Sequence, residues 1–242
     1  FAQNGFAVYE LSRHGQDTDG VVHITADMLD EPSVAAAFER IFEQEGRIDI
    51  LVNNAGFGIS GAVEFTPLDE AKRLFDVNVF GMVASVKAAL PYMRKNGGGR
   101  IVSMSSVAAP IPIPFQAFYS ASKAAISALT LAIANEVRPF GISLCAILPG
   151  DVQTGFTDAR KKNHAGNDVY GGRIDRSVAV MEHDERTGMT SDYVAKQIFR
   201  VATKKHVRPF YTAGGKYKVL VFIASILPKA LANRIVGMMY AN

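Results

Sequence analysis

Residues 100–123 restrict the fold and chemistry of this chain more than any other stretch. Arg100-Ile-Val-Ser-Met-Ser-Ser106 is a short apolar run closed by two hydroxyls and reads as a buried strand. An apolar loop, Val107 to Phe118, leads to Tyr119-Ser-Ala-Ser-Lys123 at the head of a helix. A Tyr and a Lys four residues apart share one helix face, which sets an ammonium beside a phenol. A nearby positive charge favours phenolate, so the pair predicts a Tyr119 of lowered pKa that could protonate a carbonyl oxygen becoming an alkoxide. A strand-end Ser could donate a hydrogen bond to the same oxygen. The spacing by itself is weak, because chance alone yields roughly 0.4 such pairs in a chain of this composition.

Three more stretches supply context. Asn53-Asn-Ala-Gly56 follows an apolar strand, Asn78-Val-Phe-Gly81 sits inside a helical run, and Pro149-Gly-Asp-Val-Gln-Thr154 closes another apolar strand. With Ser106 thirteen residues ahead of Tyr119-x-x-x-Lys123, the chain resembles the short-chain dehydrogenase/reductase family, from about residue 5 to residue 155. The resemblance implies an α/β fold: a single-domain, doubly wound parallel sheet of Rossmann type over residues 1–242, with helices on both faces. It implies hydride transfer between NADP(H) and a carbonyl or alcohol. Tyr119 would be the acid/base, Lys123 would lower its pKa and bind the nicotinamide ribose, and Ser106 would orient the substrate oxygen. Asn78 would hold a water linking Lys123 to solvent, although a buried amide there also suits a purely structural tie. Ser105 is the alternative to Ser106. The family pattern also places one more strand and a Thr-Gly-x-x-x-Gly-x-Gly loop before the strand Phe6–Leu11, so roughly 15–25 further residues are expected ahead of Phe1.

Ser12-Arg13 ends that first strand, where dinucleotide sites read the ribose 2′ position. An acidic side chain there accepts from a hydroxyl, whereas an Arg accommodates a phosphate. Arg13 therefore favours NADP(H) over NAD(H), though Glu10, Asp17 and Asp19 lie nearby and a solvated surface Arg would look the same. By resemblance, Asp27 meets the adenine edge and Met28 offers its backbone. Asn54, Ala55 and Gly56 pass beneath the ribose. Pro149, Gly150 and Val152 line the nicotinamide, with the Val152 backbone on its amide, and Thr154 contacts the phosphate or amide side. Read without the resemblance, Asp27 is a strand-end turn residue and Thr154 a loop hydroxyl. Gly56-x-Gly58-x-x-Gly61 matches a dinucleotide fingerprint, with Asp76 about twenty residues on. The fingerprint's last Gly must open a helix, however, and here Thr66-Pro67-Leu68-Asp69 caps a separate one, so this is not read as a phosphate loop.

Residues 151–190 are charged and poorly periodic, and the resemblance makes them a substrate lid. Residues 212–242 form a C-terminal helical cover. Within them Val219–Leu227 is an apolar run flanked by Lys216, Lys218 and Lys229. It suits a pocket cover, a peripheral membrane contact or a subunit interface, and the cover is the reading taken. No apolar run is read as long enough to span a bilayer. The apolar loop Ala108–Phe115 beside Ser106 points to a steroid, retinoid or fatty-acyl carbonyl substrate. Small residues along the Tyr119 helix allow close packing, and the resemblance implies a homodimer or homotetramer. A formal net charge of +3 calls for no nucleic-acid partner. His164 and His183 lack the neighbours of a metal site, so none is expected. The single Cys145 suits a reducing, cytoplasmic setting. Two rival readings are a non-catalytic NADP-binding regulator and a nucleotide-sugar epimerase or dehydratase. The first tends to lose the Tyr or Lys, and the second needs more chain after Thr154.

Overall fold

The computed structural model describes residues 1–241. After a short 3-10 turn that ends on Gly5, β1 (Val8–Ser12) and β2 (Val21–Thr25) pair in parallel. Helix α1 (Glu31–Glu45) has Pro32 in its first turn and a left-handed Gly46 at its end. Asp30 occupies the N-cap position but makes no side-chain cap bond; the turn ahead of it is held by Asp27. Next come β3 (Ile50–Asn53), the two-residue β4 (Ile59–Ser60), α2 (Leu68–Phe75), a π-helical turn (Asp76–Phe80) and α3 (Gly81–Lys95). Thr66 does not cap α2 either: its hydroxyl turns back to donate to the Ala62 carbonyl at 2.8 Å. Strand β5 (Gly99–Met104), α4 (Ala117–Val137) and β6 (Ile142–Pro149) follow. The expected loop of 151–190 contains real structure: β7 (Val152–Gln153), α5 (Phe156–Ala159), β8 (Lys161–Lys162), α6 (Arg173–Arg186) and β9 (Met189–Thr190). Helix α7 (Ser191–Ala202) is capped by the Thr190 hydroxyl, which accepts from Tyr193 N. Strand β10 (Phe210–Ala213) and helices α8 (Gly215–Ile226) and α9 (Lys229–Tyr240) complete the chain.

The main sheet is parallel, in the order β10-β6-β5-β3. Parallel strands are covered on both faces, which is why β5 and β6 read as continuous apolar runs. Neighbours in a strand point to opposite faces. Accordingly Ile101 joins the core formed with α1, α3 and α4 through Val34, Phe38, Met93 and Ile126. The next residue, Val102, joins the opposite core with Cys145, Ile147 and, from α7, Val194 and Val201. The β1–β2 pair packs on the first core through Tyr9 and Leu11. Among the described residues β1 has only β2, and β3 only β5, as a hydrogen-bonded neighbour in the sheet, so the parallel series is divided between them.

The expectation about membrane spans needs correcting. The continuous helical stretches Leu68–Lys95 and Ala117–Phe140 are long and apolar enough to cross a bilayer by length and composition. Both pack on the sheet, α3 against β3 and β5 and α4 against β6, and covering a sheet is a sufficient reason for their apolar character.

Candidate active site

Strand register gathers the predicted residues. Asn53 pairs with Ser103, Met104 with Ile147, and Pro149 with Ala213. Asn54-Ala-Gly56, Ser105-Ser106 and Gly150 thus leave the sheet at the carboxyl ends of adjacent strands, the side on which open α/β sheets bind ligands.

The two serines differ. Ser105 Oγ donates to the Lys123 carbonyl at 2.9 Å and shares a 2.8 Å hydrogen bond with Ser127 Oγ, so it straps β5 to α4. The Ser106 hydroxyl accepts from Ala108 N at 3.1 Å and stands beside Tyr119. Of the two hydroxyls, Ser106 is the one hydrogen-bonded to Tyr119, and Ser105 is taken up by α4. Ser105→Ala is expected to cost about 1 kcal/mol of stability in a denaturant titration while leaving kcat near that of the parent.

Lys123 is 5 % exposed, and its Nζ donates to the Met104 carbonyl at 2.8 Å and lies 5.7 Å from the Tyr119 ring centre. Burial pulls its pKa down to about 8. Burial also pushes Tyr119 up to about 12, against the Ser106 hydrogen bond, which favours the phenolate. The expected lowering of the phenol is not what the chain by itself produces: desolvation is the largest cause, and the charges that act on the phenol are those of Glu185, Arg160 and Asp151. Tyr119 holds its proton at neutral pH.

Asn78 is fully buried in the π-helical turn, a distortion that often marks functional positions. Its Oδ1 accepts from Phe57 N at 3.0 Å, and its Nδ2 donates to Phe57 O at 3.0 Å and Ser122 Oγ at 3.2 Å. The side chain clamps the loop after β3 to α4 and makes no direct bond to Lys123. A Cβ on Gly56 would sit 2.9 Å from Asn78 Oδ1 and 3.7 Å from Lys123 Nζ, so only a glycine lets this loop, the amide and the ammonium come together.

The cofactor positions divide. Asn54, Ala55 and Gly56 are exposed beside Lys123, and Arg13 is exposed at the end of β1. Ser12 Oγ donates to His14 O at 3.0 Å. Asp27 Oδ1 accepts from Leu29 N at 2.9 Å, which is the turn reading, while Met28 packs near Gly81 and accepts weakly from Ser85 Oγ. Pro149, Gly150 and Val152 are half-buried; Pro149 O accepts from Val107 N, tying the loop after β6 to the residue after Ser106. Thr154 is exposed, and its Oγ1 accepts from Phe156 N. Gly61 opens no helix, in line with rejecting the Gly56–Gly61 fingerprint. An ammonium has three donors and Lys123 commits one to Met104, so the floor made by Asn54–Gly56 together with Lys123 fits a ribose diol.

Several residues near the site carried no motif. Arg160, with a wholly buried side chain, pairs with Glu185, which also accepts from Thr157 Oγ1 at 2.7 Å. Both charges act on Tyr119. Phe156 lies between them: its ring is 5.6 Å from the Tyr119 ring and 5.6 Å from the Arg160 guanidinium. Tyr217 donates to Asp151, whose pKa burial raises. A Cβ on Gly150 would lie 2.3 Å from the Tyr217 ring. Gly150→Ala should displace that ring and cost about 1–3 kcal/mol, read as a lowered denaturation midpoint, whereas Gly155→Ala, with open space around it, should cost little. His164 pairs with Asp175, and among the described residues no group of His, Cys, Asp and Glu could hold a metal.

An apolar cavity of about 520 Å³ begins at Val107, one residue past Ser106. Its walls include Pro110 and Ile113 of the predicted apolar loop, Leu220 and Ile223 of α8, and Val236 and Met239 of α9. Asp151 lines it too and exerts its charge on Tyr119, which links the cavity electrostatically to that phenol.

A parallel α/β sheet bearing a Ser, a Tyr and a Lys at its carboxyl edge defines a nicotinamide-dependent oxidoreductase. Comparison with known proteins agrees. The model of the short chain dehydrogenase family matches residues 5–165. A 3-ketodihydrosphingosine reductase of Bacteroides thetaiotaomicron is 38% identical over 227 residues, covering 93% of this chain and 84% of that protein. A short-chain dehydrogenase from Streptomyces avermitilis superimposes with a TM-score of 0.82 at 27% identity, covering 98% of this chain and 88% of the other. A 3-ketoacyl-(acyl-carrier-protein) reductase from Brucella melitensis, solved with NADH, gives a TM-score of 0.74 at 25% identity over 89% of this chain and 90% of the other. The chain belongs to the short-chain dehydrogenase/reductase family, whose members bind nicotinamide cofactors, act on small molecules and commonly oligomerise.

Proposed function

We propose that this protein is an NADP(H)-dependent reductase of an apolar, long-chain ketone. The observation that carries the reading is geometric: Tyr119, hydrogen-bonded to Ser106 and kept protonated by burial, can give a proton to a carbonyl oxygen, and an apolar cavity begins at Val107, the residue after Ser106. The cavity walls and the similarity to a 3-ketodihydrosphingosine reductase both favour a 3-keto compound with an alkyl chain over a small polar ketone.

When bound, the reduced nicotinamide supplies a hydride to the carbonyl carbon. Tyr119 Oη delivers a proton to the carbonyl oxygen, and the Ser106 hydroxyl donates a hydrogen bond to that oxygen as charge builds on it. Lys123 keeps a positive charge near the departing proton and offers its remaining donors to the ribose hydroxyls. Asn78 holds the Phe57 loop against α4, which fixes the floor on which the ribose rests. Residues 151–190 act as the lid, and 212–242, of which Asn242 lies outside the described residues, as the cover that confines the alkyl chain. The long α3 and α4 helices offer the surface through which a homodimer or homotetramer would form.

Fluorescence titration with NADPH and with NADH tests the cofactor. Arg13→Ala should weaken NADPH binding about tenfold, the value of one charge-assisted hydrogen bond, and leave NADH binding unchanged. Equal loss for both cofactors would make Arg13 a surface residue. Oxidation of NADPH by a long-chain 3-keto amine, compared with a short water-soluble ketone, tests the substrate. Preference for the short ketone would overturn the apolar assignment. The regulator reading would gain ground only if cofactor bound and no ketone turned over.

A further inference from the structure

Helix α8 carries Val219, Phe222, Ile223 and Ile226 at i, i+3, i+4 and i+7, the spacing by which a helix normally faces a core. Here the stripe faces outward: Phe222 is 64% and Ile226 66% exposed. Helix α9 repeats the feature with Leu231, Met238 and Met239, all exposed. Exposed apolar side chains gathered in this way mark a docking site. Exposed cations border it at Lys216, Lys218, Lys229 and Arg234, and no Asp or Glu occurs between Gly214 and Ala241. Leu220, Ile223 and Met239 are exposed at the surface and also form walls of the cavity beside Ser106, so the cavity opens through the same face.

We propose that α8 and α9 form an interfacial dock for an anionic phospholipid bilayer, and that the apolar cavity opens onto the acyl-chain layer through this dock. Apolar side chains would enter the headgroup–acyl boundary while the lysines and Arg234 meet lipid phosphates. A second copy of the chain fits the face less well, because a two-fold contact there would bring the same four cations of each copy together with no acidic residue of the segment to offset them. The dock stands without the reductase reading; only the delivery of a ketone's chain from the bilayer to the cavity rests on it.

The test is co-sedimentation of the full chain with vesicles of phosphatidylcholine alone and of phosphatidylcholine with phosphatidylserine. Binding to the anionic vesicles, weakened by salt, is expected. Lys216→Gln and Lys218→Gln should each weaken it about fivefold. Phe222→Asp with Ile226→Asp should abolish it while leaving the melting temperature near that of the parent, since both side chains already face solvent. Absence of binding to either vesicle, or binding that survives the double Asp variant, overturns the proposal. So does a parent that sediments as a larger oligomer than the double Asp variant in the absence of lipid, because the face would then belong to a second copy. Vesicle binding with no ketone reduction would leave the dock standing and remove the reductase reading; turnover of a short soluble ketone without vesicle binding would do the reverse.

Discussion

Tyr119→Phe lowers kcat for ketone reduction by about 10²- to 10⁴-fold, the range that a positioned general acid supplies. Its ring packs beside Phe156, and a phenylalanine keeps that contact, so folding and NADPH affinity stay near those of the parent. Loss of turnover with intact cofactor binding is the expected pair of results; a variant that still turns over at more than a tenth of the parental rate would remove Tyr119 as the proton donor. Acidity adds an independent check. Lys123, lowered to about 8 by burial, is charged below that pH and neutral above it. Tyr119, at about 12, keeps its proton throughout. Reduction is therefore expected to be level below about pH 8 and to decline above it. Ser106→Ala should lower the rate by about 10²-fold, as loss of one oxyanion donor does, without moving that break. A profile that stays level through pH 10 would show that the charge on Lys123 does not support the proton transfer.

Glu185→Leu is expected to destabilise the protein by about 3–5 kcal/mol, because it strands the buried Arg160 guanidinium without its carboxylate. In a chain of this size that is a fall in Tm of about 6–20 °C. Arg160→Met alone should cost a similar amount. The double variant, Arg160→Met with Glu185→Leu, should recover most of the loss, since no buried charge is then left unpaired and only the Thr157 hydroxyl loses an acceptor. If the double variant were as unstable as the sum of the singles, the pair would not be acting as a pair. The same variants should alter turnover, because both charges act on Tyr119.

The two predictions mark where the sequence was legible and where it was not. Tyr119, Lys123, Ser106 and Asn78 were readable because each sits at a fixed distance from a strand end or within one helix, and local spacing survives folding unchanged. The strands of the main sheet were readable for a related reason: burial on both faces leaves apolar runs with abrupt polar ends, as at Arg100–Ser106 and Ile142–Pro149. Arg160 and Glu185 were not readable. They lie 25 residues apart, and nothing in a charged, aperiodic stretch tells a buried arginine from a solvated one. The phenol's acidity failed for a different reason. The Tyr–Lys spacing reports a charge at a distance, but desolvation depends on every neighbour, and here the larger effect had no local signature. The outward stripe on α8 is the opposite case: the apolar run Val219–Leu227 was visible, but a run cannot say whether a core or an open surface lies against it.

The hydrogen bond from Tyr217 to Asp151 sets a constraint on exchanging parts between relatives. Tyr217 belongs to α8, Asp151 to the loop after β6, and Gly150 is what lets the Tyr217 ring lie against that loop. A chimaera that takes residues 214–241 from one member of the family and the rest from another would join two halves of a mated contact. Unless the segment Pro149–Thr154 travels with it, the grafted helices would meet a loop shaped for a different ring. The C-terminal helices and the loop after β6 are therefore inherited together in this protein, and neither can be recombined as a separate module.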